Sequence, residues 1–324
     1  MSLRRAVTAV DGVLVGHVTS HEAGTGCTVI LAPPEGLVPA AYVRGRATGT
    51  RELDVTSPGH LVPAINALLL TGGSAFGLGA ADGVMRWLAE RNRGFPVGVG
   101  VVPIVPAAVI FDLAPLGAPN RWPTADDGYR ACEAAGPEVS EGSVGAGTGA
   151  TVGKVLGAAG AMKGGVGTWA EAADGVIVGA LAVVNAFGDV RDAAGDIIAG
   201  ARRDAAFVDA RAYLKAGGVP GGSFSRPGAN TTLVVVATDA ALDRMALAEV
   251  ARTAADALGQ RITPVGTQYD GDIVFVLSSP RQAARLMVVE LLAQAVTAMA
   301  VERAVRYATG TESVPGLADD PARV

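Results

Sequence analysis

Short apolar runs of core-strand length, "GALAVVNAF" (179–187) and "TLVVVA" (232–237), stand between stretches of helical pattern. This alternation restricts the chain to layered α/β architectures, in which helices cover sheets. Residues 9–45 break into short β-rich runs punctuated by Gly and Pro, as strands and turns do, and a polar loop follows over 46–63. From 65 to 94 an apolar run passes through a glycine turn into a helix, with Leu78, Val84, Met85 and Leu88 as its buried stripe and Arg91 and Arg93 at its C-terminal end. Residues 95–113 read as strands with breaks, and 124–136 as a short helix that holds Cys132. A Gly-rich tract (141–170) leads into a strand over 175–190. Small and polar residues fill 196–230, of which 211–230 reads as exposed and mobile. The chain then predicts a strand over 232–238, an amphipathic helix from Asp239 to about Leu258, a strand over 272–279 and an Ala-rich helix over 281–307. The tail from Thr311 reads as disordered. No linker or compositional step divides the chain, so 1–324 is expected to form a single domain.

Of the 324 residues half are hydrophobic and 18% charged, and 44 are Gly, so a large core of small residues is available. The net charge of −5 and the lack of a basic run argue against nucleic acid as a partner. No apolar run approaches the roughly 18 residues of a membrane span, and no signal-peptide pattern follows Arg4 and Arg5, so a cytoplasmic location is expected. Cys27 and Cys132 make no disulfide framework and no zinc cluster, and Cys27 reads as a small core residue at the start of a strand. The three histidines, His17, His21 and His60, are too scattered for a metal site; His17 and His21 suit one helix face but have no ligand partner at the right spacing. No metal or organic cofactor is expected.

The tract "GSVGAGTGATVGK" (142–154) invites a nucleotide reading that its details exclude. A phosphate loop needs Gly-x4-Gly-Lys followed by Ser or Thr, whereas Thr148 stands at the first position and Val155 follows Lys154. Gly145, Gly147 and Ala150 fit the looser dinucleotide pattern, but "PEVSEG" precedes it where a buried strand is required. A tightly packed backbone lining a cavity is the better reading, with Lys154 its notable polar group. Desolvated there, Lys154 would have a lowered pKa and could serve as a base; local context favours a surface lysine at a strand end. Asn185 interrupts an apolar run, so its amide must either bond backbone groups or point into a site. Asp270 and Asp272 in "DGD" share a face if extended, and locally suit a hairpin turn.

The sharpest question is posed by Asn230-Thr231-Thr232 at the mouth of a strand. It matches a glycosylation acceptor, which is irrelevant without secretion, and it also suits an ordinary turn running into a strand. A third reading is self-cleavage, in which the Thr231 hydroxyl attacks the carbonyl of Asn230 and hydrolysis of the ester frees a threonine amino terminus. That amine, with an ordinary pKa of about 7.7–8.0, can act as base for its own hydroxyl. No Ser-His-Asp set is then required.

Together "LTGGSAFGL", "VPIVPAAVIFDL", "GSVGAGTGATVGK", "VVNAFGDV" and "NTTLVVVATD", in this order over about residues 8–308, resemble the self-processing peptidase family. That family contains the D-aminopeptidase/D-esterase, the β-peptidyl aminopeptidases and the 6-aminohexanoate-oligomer (nylon oligomer) hydrolases. The resemblance implies a four-layer αββα sandwich, similar to N-terminal-nucleophile hydrolases but differently connected. It implies a precursor cut into an α chain (1–230) and a β chain (231–324) that stay associated and assemble into a homo-oligomer, as a tetramer of αβ units. By the same resemblance Thr231 is the nucleophile, Asn230 the residue before the cut and Lys154 the group that activates the hydroxyl. Asn185 helps hold the oxyanion, and Asp270 and Asp272 form a carboxylate pair near the nucleophile. Threonine with "DGD" points to the nylon-oligomer branch, since the aminopeptidases use Ser as nucleophile with Ser and Glu at those two positions. Some members carry a tyrosine in the region of "VIFDL", where this chain has Phe111; Ser74 in the "GGSAFG" loop is a further pocket candidate. The implied activity is hydrolysis of linear amides, small or oligomeric, through an acyl-enzyme. The alternatives are an aminopeptidase or esterase acting on D- or β-amino-acid amides, and a non-enzymatic protein whose chain stays intact.

Overall fold

The computed structural model describes residues 3–204, 206–221 and 229–320. Its two main sheets are built from β1 (Leu14–Ser20), β2 (Thr25–Leu31), β3 (Val38–Val43), β4 (Thr50–Arg51) and β5 (Ala67–Thr71), and from β6 (Ala107–Val109), β7 (Gly165–Ala173), β8 (Val176–Asn185), β9 (Thr231–Ala240) and β10 (Ile273–Gln282). One sheet runs β1-β2-β5-β6-β4 and the other β7-β8-β9-β10-β3. Only β5/β6 and β9/β10 pair in parallel; the other neighbours are antiparallel. Helices α1 (Ala80–Ala89) and α2 (Ala125–Glu133) cover the outer face of the first sheet. After the short α3 (Ala210–Lys215), α4 (Arg244–Arg261) and α5 (Leu286–Arg306) cover the second. The layers are therefore helix, sheet, sheet, helix.

Parity along the strands explains why the central runs are apolar without alternation. In β8 and β9 the even-numbered residues Ala180, Ala182, Val184, Val234 and Val236 pack beneath α4 and α5. The odd-numbered Leu181, Val183, Leu233 and Val235 face the other sheet, against Ile30, Leu68 and Leu70. Successive side chains point to opposite faces, and both faces are covered. Full burial of each of these Val and Leu side chains contributes about 1.5–3 kcal/mol. The helical shell keeps close through small residues, Ala251, Ala254, Ala255, Ala300 and Ala304 among them.

Within 196–230, residues 211–221 are exposed or half-buried as read, while Ile197–Ala199 pairs with Asp189–Arg191 and Ala199, Ala201 and Ala210 are buried. Three expectations are corrected. The end of the chain is ordered as far as Asp320, with Val314 and Leu317 buried. Both segments also contain residues outside the described ones, 205 and 222–228 in the first and 321–324 in the second. His17 belongs to β1 rather than to a helix, and its ring bonds the Thr28 hydroxyl. The Asp239 helix starts at Arg244, capped by the Asp243 carboxylate, because β9 continues to Ala240. Among the described residues no helix is long and apolar enough to cross a membrane, and no cluster of three His, Cys, Asp or Glu could hold a metal.

Leu181 fills the inter-sheet layer, so Leu181→Ala should lower stability by about 2–5 kcal/mol through lost burial and the cavity left behind. Urea unfolding reads this directly, and a loss under half a kilocalorie would mean that the two sheets do not share a core.

Candidate active site

The same parity aims two polar side chains at one place. Asn185 ends β8 and Thr231 begins β9, and they are paired residues in the ladder. Being odd-numbered, both face the layer between the sheets, where Leu181, Val183, Leu233 and Val235 lie. A polar group is tolerable there only at the mouth of the strands and only when hydrogen-bonded.

Asn185 is completely buried and its amide is held from several sides. Its Oδ1 accepts from the Lys154 ammonium at 2.7 Å and from the Thr151 amide at 3.0 Å. Its Nδ2 donates to the Phe111 carbonyl at 2.9 Å. Lys154 is no surface lysine. It is fully buried, and besides Oδ1 it reaches the Asn185 carbonyl at 3.1 Å and that of Ala229 at 3.4 Å.

Thr231 is buried, and its hydroxyl lies 2.6 Å from the oxygen of Asn230, the carbonyl it would have to attack. That oxygen also accepts the Gly271 amide at 2.8 Å. The "DGD" segment is thus not a hairpin turn: Asp270 bridges Asn230 in parallel register just before β10 pairs with β9. Gly271 has no room for a side chain, since a Cβ would come within 2.6 Å of the Ala47 carbonyl and 2.9 Å of Thr231 Oγ1. The segment after β3 clamps it from outside. Arg44 and Gly45 amides donate to the Asp272 carbonyl at 3.0 and 2.9 Å, and the Arg46 amide to that of Asp270 at 2.9 Å.

The two carboxylates act on backbone. Asp272 Oδ1 accepts the Thr232 amide at 2.7 Å, fixing β9 one residue past Thr231. Asp270 Oδ2 accepts the amide and hydroxyl of Thr267 at 2.8 and 2.7 Å. Burial dominates the electrostatics. It pushes the Lys154 ammonium down to about 7, with Asp270 and then Asp112 opposing. Burial, reinforced by the Asp270 charge, lifts Asp272 to about 7 against the Thr232 and Gly266 amides. Asp270 is raised by burial as well, with Thr267 and Lys154 opposing.

Thr231, Asn230, Lys154, Asn185, Asp270 and Asp272 are therefore one cluster. Phe111 joins it through its carbonyl, not its ring. Ser74 stands one shell away: its amide bonds the Ile110 carbonyl, and neighbouring Gly73 donates to Asp112. Sequence reasoning missed the Gly271 amide and the 44–47 clamp. A backbone N–H leaves no mark in a side-chain pattern; the glycine between two aspartates was the available signal.

Known proteins resemble this chain over most of its length. Residues 5–316 match Peptidase family S58. An uncharacterized aminopeptidase of Mycobacterium tuberculosis is 47% identical over 288 residues, covering 85% of this chain and 81% of that protein. A 6-aminohexanoate-oligomer endohydrolase of a Kocuria species is 30% identical over 276 residues, 83% of this chain and 73% of that protein. The solved L-aminopeptidase D-Ala-esterase/amidase of Ochrobactrum anthropi, a variant of the Ntn-hydrolase fold, superposes with a TM-score of 0.72 at 23% identity, over 98% of this chain and 92% of that one.

Between about pH 7, to which burial lowers Lys154, and its ordinary value of 10.5, the unfolded chain holds a proton that the folded chain has released. Lys154 therefore makes folding stability rise with pH in that window, by at most about 1.4 kcal/mol per unit. Lys154→Met lacks this slope. Urea unfolding of Thr231→Ala chains with and without Lys154→Met, at about pH 7.5 and 9.5, should show a stability difference that moves with pH in this sense. A pH-independent difference would mean that Lys154 keeps an ordinary pKa.

Proposed function

The chain belongs to peptidase family S58, and on that footing we propose that it is an autoprocessing amide hydrolase whose nucleophile is Thr231. The observation that carries this reading is the Asn230 carbonyl, which meets the Thr231 hydroxyl at 2.6 Å and the Gly271 amide at 2.8 Å. In the precursor the Thr231 oxygen attacks the Asn230 carbonyl carbon, and its proton passes to the neutral amine of Lys154. The oxygen of the tetrahedral adduct takes its negative charge against the Gly271 N–H, with Asn185 beside it. The C–N bond breaks, the Thr231 nitrogen takes up a proton, and an ester joins Asn230 to the Thr231 oxygen. Water hydrolyses that ester, leaving a carboxylate on Asn230 and a free amine on Thr231.

The mature site repeats the sequence on an external amide. The Thr231 amine accepts the hydroxyl proton, an acyl-enzyme forms, the substrate amine leaves protonated, and water releases the acid. Asp272 holds the Thr232 amide, so the nucleophile stays in register after the cut. Asp270 supports the Lys154 charge. Linear amides, including ω-amino-acid oligomers of the nylon type, are the substrates that threonine with "DGD" favours. A second reading, an aminopeptidase, is favoured by the name of the 47% identical mycobacterial relative. Assembly of αβ units into a homo-oligomer belongs to the same proposal.

A denaturing gel with N-terminal sequencing tests the mechanism. Two chains are expected, the smaller beginning Thr-Thr-Leu-Val, and Thr231→Ala should give only the intact chain. An uncut wild-type chain that still hydrolyses amides would overturn Thr231 as the nucleophile.

The substrate class is read separately. The nylon-type assignment expects turnover of N-blocked linear 6-aminohexanoate oligomers, and turnover restricted to free-amine amides would replace it with the aminopeptidase. On either substrate Asn185→Ala should lower kcat about 100-fold, the loss of one oxyanion donor.

A further inference from the structure

We propose that Lys163 is a positioning residue for this site: it gathers the carbonyls of the glycine tract and so holds the Thr151 amide and the Phe111 carbonyl where they fix Asn185. The catalytic half of this inference rests on the reading of Asn185 as an oxyanion donor. Lys163 is 1% exposed, and its ammonium donates to the carbonyls of Ala150 at 2.7 Å, Thr148 at 2.8 Å and Gly147 at 3.4 Å. Three N–H groups meet three acceptors, which is the protein's own replacement for a hydration shell. The tract has to be glycine-rich to bend around it. At Gly149 a Cβ would stand 2.1 Å from the Gly24 carbonyl and 2.6 Å from Asp112 Cβ.

Asp112 is the buried counter-charge. It accepts the Thr25 hydroxyl at 2.7 Å and the Gly73 amide at 2.6 Å, and it favours the charged form of Lys163. Two of the three supports of the Asn185 amide start here, the third being Lys154. Ala150, held by Lys163, is followed by Thr151, whose amide meets Asn185 Oδ1 at 3.0 Å. Asp112 is preceded by Phe111, whose carbonyl takes Asn185 Nδ2 at 2.9 Å. Lys163 touches neither Asn185 nor Thr231 among its hydrogen-bond partners, so it acts through the tract. A displacement of the Asn185 amide of about 1 Å is enough to cost on the order of 100-fold in rate.

Lys163→Met tests this in the full-length protein, with hydrogen–deuterium exchange followed by mass spectrometry alongside steady-state hydrolysis of whichever amide the wild type turns over. The expected result is amide exchange over 147–151 faster by about ten-fold or more while β8 and β9 peptides keep their rates. With it, kcat falls about 100-fold at a KM within about two-fold of wild type. Unchanged exchange over 147–151 overturns the anchor, and faster exchange with unchanged kcat overturns the positioning role. A wild-type chain that neither cuts itself nor hydrolyses amides would end the proposed function alone, while the exchange comparison still decides whether Lys163 anchors the tract. Should Lys163→Met not fold, Lys163→Gln, which keeps two donors and loses the charge, is read against the same outcomes.

Discussion

A charge shut between packed layers has to be solvated by the protein, and the end of this molecule that holds the candidate site is organised around two lysines in that position. Lys154 and Lys163 are both fully enclosed, and each spends its hydrogens on carbonyl oxygens. An uncompensated buried ammonium would cost several kilocalories per mole. The backbone around them is therefore not free to take another path. The glycine tract turns its carbonyls inward, the end of β8 offers Asn185, and Asp112 and Asp270 supply opposite charge nearby. The burial that makes the arrangement demanding also pulls Lys154 down to about 7, where an amine can give and take a proton near neutral pH.

The strands beneath provide the stiffness. β9 is bonded on one side to β8 and on the other to β10, and its first residue is Thr231. Asp272, from the segment entering β10, takes the amide of the second. Thr231 is thus fixed from the downstream side. Upstream, the contacts of Asn230 and Ala229 include the Gly271 amide, the Tyr269 carbonyl and the Lys154 ammonium.

Much of the fold could be read from the residues because burial on both faces leaves a plain mark. Val234, Val235 and Val236 in succession require cover above and below, and the helices over 244–261 and 286–306 supply it on one side. The end of the chain was misread because Gly316, Asp319 and Asp320 look like a solvated tail, whereas Asp319 bonds the Gly310 and Gly316 amides and so lets Val314 and Leu317 bury. The candidate site was legible as side chains and illegible as backbone. Thr231, Asn185 and the two aspartates could be named, but Lys154 looked locally like a surface residue, since what encloses it comes from 185 and 229. Lys163 carried no local signal at all, because its partners are the backbone carbonyls of Gly147, Thr148 and Ala150, which no side-chain pattern marks.

Cleavage after Asn230 would separate two sets of contacts that the precursor holds together. The downstream set, the β8 and β10 ladders and the Asp272 bond to Thr232, does not include the scissile carbonyl and survives the cut. The upstream set, the Gly271 bond to the Asn230 oxygen and the Lys154 bond to the Ala229 oxygen, ends on atoms of the acyl side. Departure of that acyl segment leaves an N–H and an ammonium aimed at the place where the carbonyl stood, with the Thr231 oxygen still beside it. An external amide bound there meets the donors that served the chain's own peptide bond. Self-cleavage and substrate hydrolysis then need one geometry between them, and the demand placed on Asn185, Gly271 and the lysines behind them is the same in both.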